Sequence, residues 1–284
     1  MSAGPARRGS RAVEALGWSF AVTAHDQRFV DHVDALYRGL PDAPPAGAVH
    51  AYVVTAREPR VHQLLLDGEH VAEDDDVSTL LVHLVHDVNR RAIDSTSLLV
   101  AHAGGVVGAR GAVVLPAHAE AGKTTLTTGL VGAGFGYLSD EAVAFDFDTL
   151  EITAYAKPLS IDPGAWDLFA RLEPDEPFDG EGYKTEQWQV PPERVRRGAV
   201  VARARARYLV FPRYRDGAAT TLEPISRAEG VVELAKNTFH FRRHGRRGLD
   251  ALARLVPELD CYRLEVGDLD RGIAVVTELA GAPA

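Results

Sequence analysis

The sequence predicts an α/β fold in which a small α+β N-terminal domain, residues 1–95, precedes a larger α/β domain, residues 96–284. The larger domain is predicted from residues 111–146, where a buried apolar strand, a glycine-bearing turn, a helix and another strand follow in that order. The smaller domain is predicted from mixed strand and helix patterns, which lack the dense glycines that begin after Ser97.

Length and composition exclude several classes of protein. The 284 residues are 46% apolar and 25% charged, which argues against a disordered, collagen-like or coiled-coil chain. A net charge of −9 repels nucleic acid and anionic membranes, so we expect neither as a partner. The single Cys261 excludes an intramolecular disulfide and a zinc site built from cysteines. No apolar segment is typical of a signal peptide or membrane span, and we expect a cytoplasmic protein.

Hydrophobic periodicity predicts the elements of the N-terminal domain. Strands are predicted at residues 18–24, 48–56 and 61–73, and helices at residues 28–40 and 77–93. The Asp67-Gly68 pair would make the third strand a hairpin. Three aspartates, 74–76, suit the positive end of the second helix dipole. A role in substrate recognition is one hypothesis for this domain.

The same patterns predict the elements of the larger domain. Residues 97–119 indicate a hairpin that leads into a buried strand, and a helix at 122–134 and a strand at 136–146 follow. Beyond them, strands are predicted at residues 150–161, 206–214 and 261–266, and helices at residues 164–172, 226–237, 248–259 and 269–280. Residues 173–192 are acidic and rich in Pro and Gly, which predicts a surface loop or lid. Its Tyr183, Lys184 and Trp188 could close over a substrate or anchor the loop.

A phosphate-loop motif connects the buried strand to the helix. It reads Ala117-His118-Ala119-Glu120-Ala121-Gly122-Lys123-Thr124-Thr125, with Ala117 where the pattern has its first glycine. Backbone N–H groups and the helix N-terminus would hold the phosphates, Lys123 would neutralise them, and the Thr124 hydroxyl would bind Mg²⁺. The predicted nucleotide-binding residues are Ala119, Glu120, Ala121, Gly122, Lys123, Thr124 and Thr125. A chance match at an ordinary helix start is the alternative, and Glu120 is expected to point outward because it repels phosphate.

Two adjacent carboxylates follow on the next strand. Asp140 and Glu141 lie between apolar residues, where burial is costly unless a positive charge is near, and Mg²⁺ would supply it. One carboxylate could bind the metal and the other could accept the proton of an attacking hydroxyl. Because successive strand residues face opposite sides, we expect the pair where the strand ends or bulges. A solvated strand end is the alternative. His102 on the preceding strand could reach the same site or be structural.

The chain resembles the HPr kinase/phosphorylase family, and more closely the smaller HPr-kinase-like proteins found beside peptide-modification and lasso-peptide gene clusters. The similarity spans about residues 97–280. It is carried by His102-Ala103-Gly104, the Gly-Lys-Thr loop, residues 134–143 (GFGYLSDEAV), Lys157-Pro158-Leu159-Ser160 and the C-terminal residues 262–269 (YRLEVGDL).

The resemblance implies a P-loop core akin to phosphoenolpyruvate carboxykinase and an ATP- and Mg²⁺-dependent kinase that phosphorylates serine or another hydroxyl. By position, Asp140 matches the catalytic acid/base, Glu141 its acidic neighbour near Mg²⁺, and His102 the histidine before the P-loop strand. Lys157 matches a lysine that could touch the transferred phosphoryl. Ala117 departs from the family pattern, and the region that binds the family's phosphocarrier partner is not recognisable. A homo-oligomer is implied by resemblance only.

Other charged clusters have two interpretations each. Arg203, Arg205 and Arg207 would share one strand face, either an exposed sheet surface or an anion-binding face. Residues 242–247 indicate a mobile basic loop, from which an arginine could stabilise transferred charge. His83 and His86 have helical spacing for a metal, but no third ligand is evident.

Three functions remain open from the sequence. The first is an ATP-dependent kinase whose acceptor is a serine of a peptide or small protein. The second keeps the site and transfers the phosphoryl group to a small metabolite, or runs in the reverse, phosphorylase direction. The third is a nucleotide-dependent regulatory module without transfer; Ala117 favours it, and the Asp140-Glu141 pair opposes it because a sensor has no need of a second carboxylate.

Overall fold

The computed structural model describes residues 8–58, 61–118, 121–175 and 187–281, and shows a mixed α/β protein. Its contacts divide the chain into two units, Met1–Thr96 with Ser160–Pro191 and Ser97–Leu159 with Pro192–Ala284. The sequence places residues 160–191 in the larger domain, whereas the contacts group them with the smaller unit. None of the described helices has the length and apolar character to cross a membrane.

Among its described residues, the first unit contains a mixed sheet and two α-helices. Its strands are β1 (Arg8–Gly9), β2 (Val13–Ala15), β3 (Trp18–Ala24), β4 (Val49–Glu58), β5 (Val61–Leu66) and β6 (Glu69–Asp74), in the order β1-β3-β4-β5-β6 with β2 on β3. Its helices are α1 (Gln27–Leu36) and α2 (Val77–Ser95). The predicted Asp67-Gly68 hairpin turn is confirmed, with φ of 51° and 88° at the two residues, as a two-residue hairpin turn requires. Asp76 caps α2 by accepting a hydrogen bond from the Ser78 N–H.

A second sheet, of two short strands, lies largely in the first unit. Strand β12 (Leu159–Ile161) pairs with β13 (Trp188–Val190), and two short 3₁₀ turns, Pro163–Ala165 and Asp167–Leu172, lie between them. The Trp166 and Trp188 rings stack with centroids 5.0 Å apart. The loop prediction is therefore wrong at Trp188, which is buried in a strand. Tyr183 and Lys184 of the predicted lid lie outside the described residues.

The second unit is built on a larger sheet. Its strands are β7 (Leu99–Gly108), β8 (Gly111–Pro116), β9 (Gly136–Ser139), β10 (Ala142–Phe145), β11 (Glu151–Thr153), β14 (Arg203–Tyr214), β15 (Thr221–Pro224) and β16 (Asp260–Val266). Their order is β11-β10-β7-β8-β14-β16-β15, with β9 on β7. Strands β8, β14 and β16 are mutually parallel, so their carboxyl ends meet at one edge. Ligands bind at this edge in open α/β sheets.

Five helices complete the second unit: α3 (Lys123–Gly132), α4 (Pro192–Val195), α5 (Arg227–Lys236), α6 (Phe241–Leu255) and α7 (Leu269–Ala280). Helix α3 contacts both α7 and β7. Gly104 permits the contact with β7, because a Cβ there would lie 2.4 Å from Thr127 Oγ1. The predicted hairpin, helix and strand order at residues 97–146 is thus observed.

Two predictions about basic residues have different outcomes. Residues 242–247 are not a loop: they belong to α6, which has a break at Gly245 with φ of 51° and ψ of −130°. Helical turns begin at Phe241, before the arginines, although residues 242–247 include no apolar side chain. The arginines at 203, 205 and 207 lie exposed on β14, as expected for a sheet surface, and Arg207 pairs with Asp260 at 3.0 Å.

Candidate functional site

The loop between β8 and α3 begins beside His102. Ala103 on β7 pairs with Pro116 at the end of β8, and the Ala117 N–H donates to the His102 carbonyl at 3.3 Å. At its other end, Gly122 has φ of 81° and precedes the first residue of α3. This left-handed conformation favours glycine, because a Cβ would strain the backbone. The hairpin and the glycine therefore place the helix N-terminus next to the end of β8.

Lys123 is the first residue of α3, and its side chain returns to the loop. The residue is 7% exposed, and its Nζ donates to the His118 carbonyl at 2.9 Å. Burial lowers the pKa of Lys123, while the Glu141 and Asp140 carboxylates act in the opposite direction. The ammonium group thus contacts the loop backbone at His118 and feels the charge of both carboxylates.

Asp140 and Glu141 occupy a break between two strands, as the sequence predicts. Strand β9 ends at Ser139 and β10 begins at Ala142. The buried Ser139 Oγ accepts hydrogen bonds from the Glu141 and Ala142 N–H groups, at 3.3 and 3.0 Å. The hydroxyl thus supplies a hydrogen-bond acceptor for N–H groups at the point where the strand pairing is interrupted. It thereby holds the turn that presents both carboxylates at one end of the sheet.

Lys157 joins the two carboxylates. Its Nζ lies 2.9 Å from Asp140 Oδ1 and 3.5 Å from Glu141 Oε2. Lys157 and Asp140 are both 1% exposed, whereas the Glu141 side chain is 33% exposed. Burial alone would lower the pKa of Lys157, but the two carboxylates outweigh it and the pKa is raised. The lysine therefore supplies the positive charge that makes a buried Asp140 tolerable.

Asp140 also contacts the start of α3. The Thr124 Oγ1 donates to Asp140 Oδ2 at 3.3 Å. The Tyr137 hydroxyl lies 3.0 Å from Asp140 Oδ1 and 3.1 Å from the Lys157 carbonyl. One carboxylate thus connects the hydroxyl predicted to bind Mg²⁺ with the ammonium of Lys157.

His102 lies on β7 opposite Ala142, the residue after Glu141. Its ring is 5.2 Å from that of Phe239. Burial, with the nearby Lys123 charge, lowers the pKa of His102 to about 4. The imidazole is therefore neutral near pH 7 and can accept or donate a hydrogen bond at the edge of the site.

Replacing His102 with Gln is expected to reduce the loss of stability on acidification. A histidine whose folded pKa of about 4 lies below 6.5 contributes stability above pH 6.5 that is lost as the pH falls toward 4. Between pH 7.5 and pH 5, the free energy of unfolding of the ligand-free wild type should fall by about 1–2 kcal/mol more than that of His102→Gln. Denaturant unfolding at the two pH values measures this difference.

His83→Gln is the matched control, since His83 is an exposed histidine on α2. We expect it to follow the wild type at both pH values. Parallel losses in the wild type and His102→Gln would contradict a depressed pKa at His102.

The predicted site residues have the following places. Direct contacts or electrostatic interactions connect six of them: His102, Lys123, Thr124, Asp140, Glu141 and Lys157. Ala121, Gly122 and Thr125 flank Lys123 at the half-buried start of α3. Ala119 and Glu120 lie outside the described residues, so the expected outward direction of Glu120 stays a prediction.

Two tyrosines at the site were not predicted. The Tyr137 hydroxyl contacts Asp140, and spacing did not indicate this, because residues three apart on a strand face opposite sides and the contact depends on the turn after β9. Tyr214 is 53% exposed at the carboxyl end of β14, and a Cβ on Gly122 would lie 3.4 Å from the Tyr214 Cβ. No sequence pattern brings Tyr214 to the loop, because the contact depends on β14 lying beside β8.

The structure gives no support to a metal site at His83 and His86. Both histidines are exposed, and the described residues contain no group of three or more His, Cys, Asp or Glu side chains placed to bind a metal ion. A nucleotide-bound Mg²⁺ is a different case, since it takes one or two protein ligands together with phosphates and water.

The chain matches no protein-family model and no curated protein sequence.

Proposed function

We propose that the protein is an ATP-dependent kinase that transfers the γ-phosphoryl group of MgATP to a hydroxyl, with a serine of a peptide or small protein as the leading acceptor. The observation that carries the proposal is the contact chain from Thr124 through Asp140 to Lys157, at the first turn of a helix that follows a glycine-bearing loop. A P-loop core in the second unit, preceded by a small N-terminal domain, is part of the same proposal, and the resemblance to HPr-kinase-like proteins supports it.

Phosphates would bind at the N-terminus of α3. There the unpaired N–H groups and the helix dipole favour an anion. The buried Lys123 ammonium would exchange the His118 carbonyl for phosphate oxygens. The half-exposed Tyr214 ring beside Gly122 offers an apolar face to a base.

The residues present also fit a magnesium ion. Thr124 offers a hydroxyl oxygen and Glu141 a partly exposed carboxylate, which are the hard oxygen ligands that Mg²⁺ prefers. Bound there, Mg²⁺ would neutralise charge on the phosphoryl oxygens.

Asp140 is the proposed general base. Its Oδ2 faces Thr124, while Lys157 and Tyr137 hold Oδ1 and so fix the orientation of the carboxylate. The acceptor hydroxyl would give its proton to Asp140 as its oxygen bonds to the γ-phosphorus; the bond to the β,γ-bridging oxygen then breaks and ADP leaves. Lys157 would stabilise the charge near the transferred group, and neutral His102 would position the acceptor.

Lys123→Ala is expected to weaken binding of MgATP by about 10- to 100-fold, since a hydrogen bond to a charged group contributes about 1.5–3 kcal/mol. Isothermal titration measures the affinities for MgATP and for magnesium tripolyphosphate, which has no base. Lys123→Ala should lose affinity for both, whereas Tyr214→Ala should lose affinity for MgATP only. Lys236→Ala, at an exposed lysine, is the control. Normal MgATP binding by Lys123→Ala would show that the loop is not the phosphate site.

A further inference from the structure

A groove lies between α5 and α6 in the second unit. Its volume is about 800 Å³, within the range of ~300–1,000 Å³ typical of ligand sites. The lining is largely apolar and comes from both helices and their connection: Val231, Val232, Ala235, Thr238, Phe241 and Leu249. Grooves of this kind between helices accept the apolar side chains of peptides.

The groove leaves two large apolar side chains in contact with water. Val232 on α5 is 52% exposed, and Leu249 on α6 is 55% exposed. Single exposed apolar residues need no explanation, but two from different helices that line one groove form a patch. The patch therefore indicates a surface that binds another molecule.

Basic residues form the rim of this groove. The exposed residues that line it there are Lys236, His240, Arg242 and Arg243. Lys236 is paired with Glu233 at 2.7 Å, so the net positive charge comes from the two arginines. In the part of the chain that the structure describes, the side chains of Arg242 and Arg243 have no carboxylate within ion-pair distance. The whole chain carries a net charge of −9, so this rim is a local reversal of sign. Such a rim attracts acidic partners and repels basic ones.

The groove adjoins the proposed active site through one short segment. Thr238 lines the groove and forms a bridge with Ala101 on β7. On either side of it, the Asn237 carbonyl accepts the His102 N–H at 2.6 Å, and the Phe239 ring lies 5.2 Å from the His102 ring. The segment 237–239 therefore contributes both to the groove and to the surroundings of His102.

We propose that this groove binds a peptide segment with two or three large apolar side chains flanked by Asp or Glu, and that this segment belongs to the phosphoryl acceptor. The role as acceptor rests on the proposed kinase function, whereas the binding of an acidic, apolar peptide does not. The proposal selects a peptide over a small metabolite, because an apolar groove with a cationic rim matches side chains of both kinds along one chain.

Selection from a displayed library of random dodecapeptides against the immobilised full-length protein tests the binding. Wild type should enrich peptides that combine Asp or Glu with Leu, Ile or Phe. Synthetic copies of these peptides should bind the variant Val232→Asp/Leu249→Asp with an affinity roughly tenfold or more below that for wild type. Leu168→Asp is the matched control, since Leu168 is 57% exposed but lies outside the groove, and it should bind as wild type.

A second variant tests the charge of the rim. Arg242→Glu/Arg243→Glu should select against acidic peptides and in favour of basic ones. Because all four positions are exposed, both double variants should melt as wild type. Enrichment of peptides without acidic residues, or equal binding to the Asp variant, would overturn the proposal. A dimer of the wild type that the Asp variant dissociates would overturn it too, because the groove would then be covered by a second copy.

The selection uses no ATP, so it separates the two proposals. Selected peptides can be joined to a serine-containing extension and tested for labelled phosphate. If they bind the groove but receive no phosphate, the groove is a peptide-binding site but does not bind the phosphoryl acceptor. If Val232→Asp/Leu249→Asp transfers phosphate to acceptors at the wild-type rate, the kinase proposal holds and the proposal that the groove binds the acceptor is wrong.

Discussion

Asp140→Asn is expected to reduce phosphoryl transfer by about 10²–10⁴-fold, the usual contribution of a general base. Asn keeps an oxygen that can accept hydrogen bonds from Lys157 and Tyr137, and Glu141 remains as a counter-ion 3.5 Å from Lys157. The geometry at Asp140 should therefore persist while the basic oxygen is lost. Because Lys123 and the loop amides hold the phosphates, binding of MgATP should remain close to wild type.

The measurement is transfer of labelled γ-phosphate from MgATP into an extract of the source cells, separated into protein, peptide and small-molecule fractions. Label that enters one fraction only with wild type identifies the class of acceptor. Glu141→Gln is the companion variant, and it should raise the Mg²⁺ concentration needed for half-maximal transfer. If Asp140→Asn loses MgATP binding together with transfer, the division of roles between the two carboxylates is wrong. Intact binding with no transfer by wild type would favour a regulatory module.

Lys157→Met is expected to lower the free energy of unfolding by about 3–5 kcal/mol, because it leaves Asp140 charged, buried and without its main partner. The reason is the burial of both groups, each 1% exposed. Asp140→Asn/Lys157→Met removes both charges, so it should be considerably more stable than the sum of the single variants predicts. Denaturant unfolding at pH 7 supplies all four values of this cycle.

Lys236→Met is the matched control for Lys157→Met. Its lysine pairs with Glu233 at 2.7 Å, but the pair is exposed on α5, and such pairs contribute about 0–1 kcal/mol. The raised pKa of Lys157 also sets how the free energy of unfolding depends on pH. The stabilisation from the Lys157–Asp140 pair is present below about pH 10.5 and is lost as the pH rises above it. Equal effects of the two substitutions, or simple additivity in the cycle, would contradict a buried, coupled pair.

Local patterns predicted the elements well where one periodicity dominated. The strands at 18–24 and 261–266 and the helix at 269–280 appear as expected, because alternating or helical apolar spacing matches the face that each element buries. The pattern did not reveal β15 and β13. Thr221–Pro224 is largely exposed and has little apolar signal, and Trp188–Val190 is a strand of only three residues that depends on pairing with β12.

The basic segment before Gly248 shows a different failure. Four arginines and two glycines within residues 242–248 have weak apolar periodicity, which indicated a loop. In the structure, Phe241 anchors this stretch as the first turns of α6, and Arg247 lies 4.1 Å from the centroid of the Phe147 ring. A contact with a residue a hundred positions away thus replaces the hydrophobic signal that the segment lacks.

The sequence by itself determined that a glycine-bearing turn leads into a helix at Lys123 and that two adjacent carboxylates follow among apolar residues. Asp140-Glu141 on an apolar strand requires a nearby positive charge, which is a local demand of burial. Only the tertiary structure decided that Lys157 supplies this charge. The physical reason is that strand pairing between β7, β9 and β10, together with the turn held by Ser139, sets these distances, and none of those contacts is encoded by spacing along the chain.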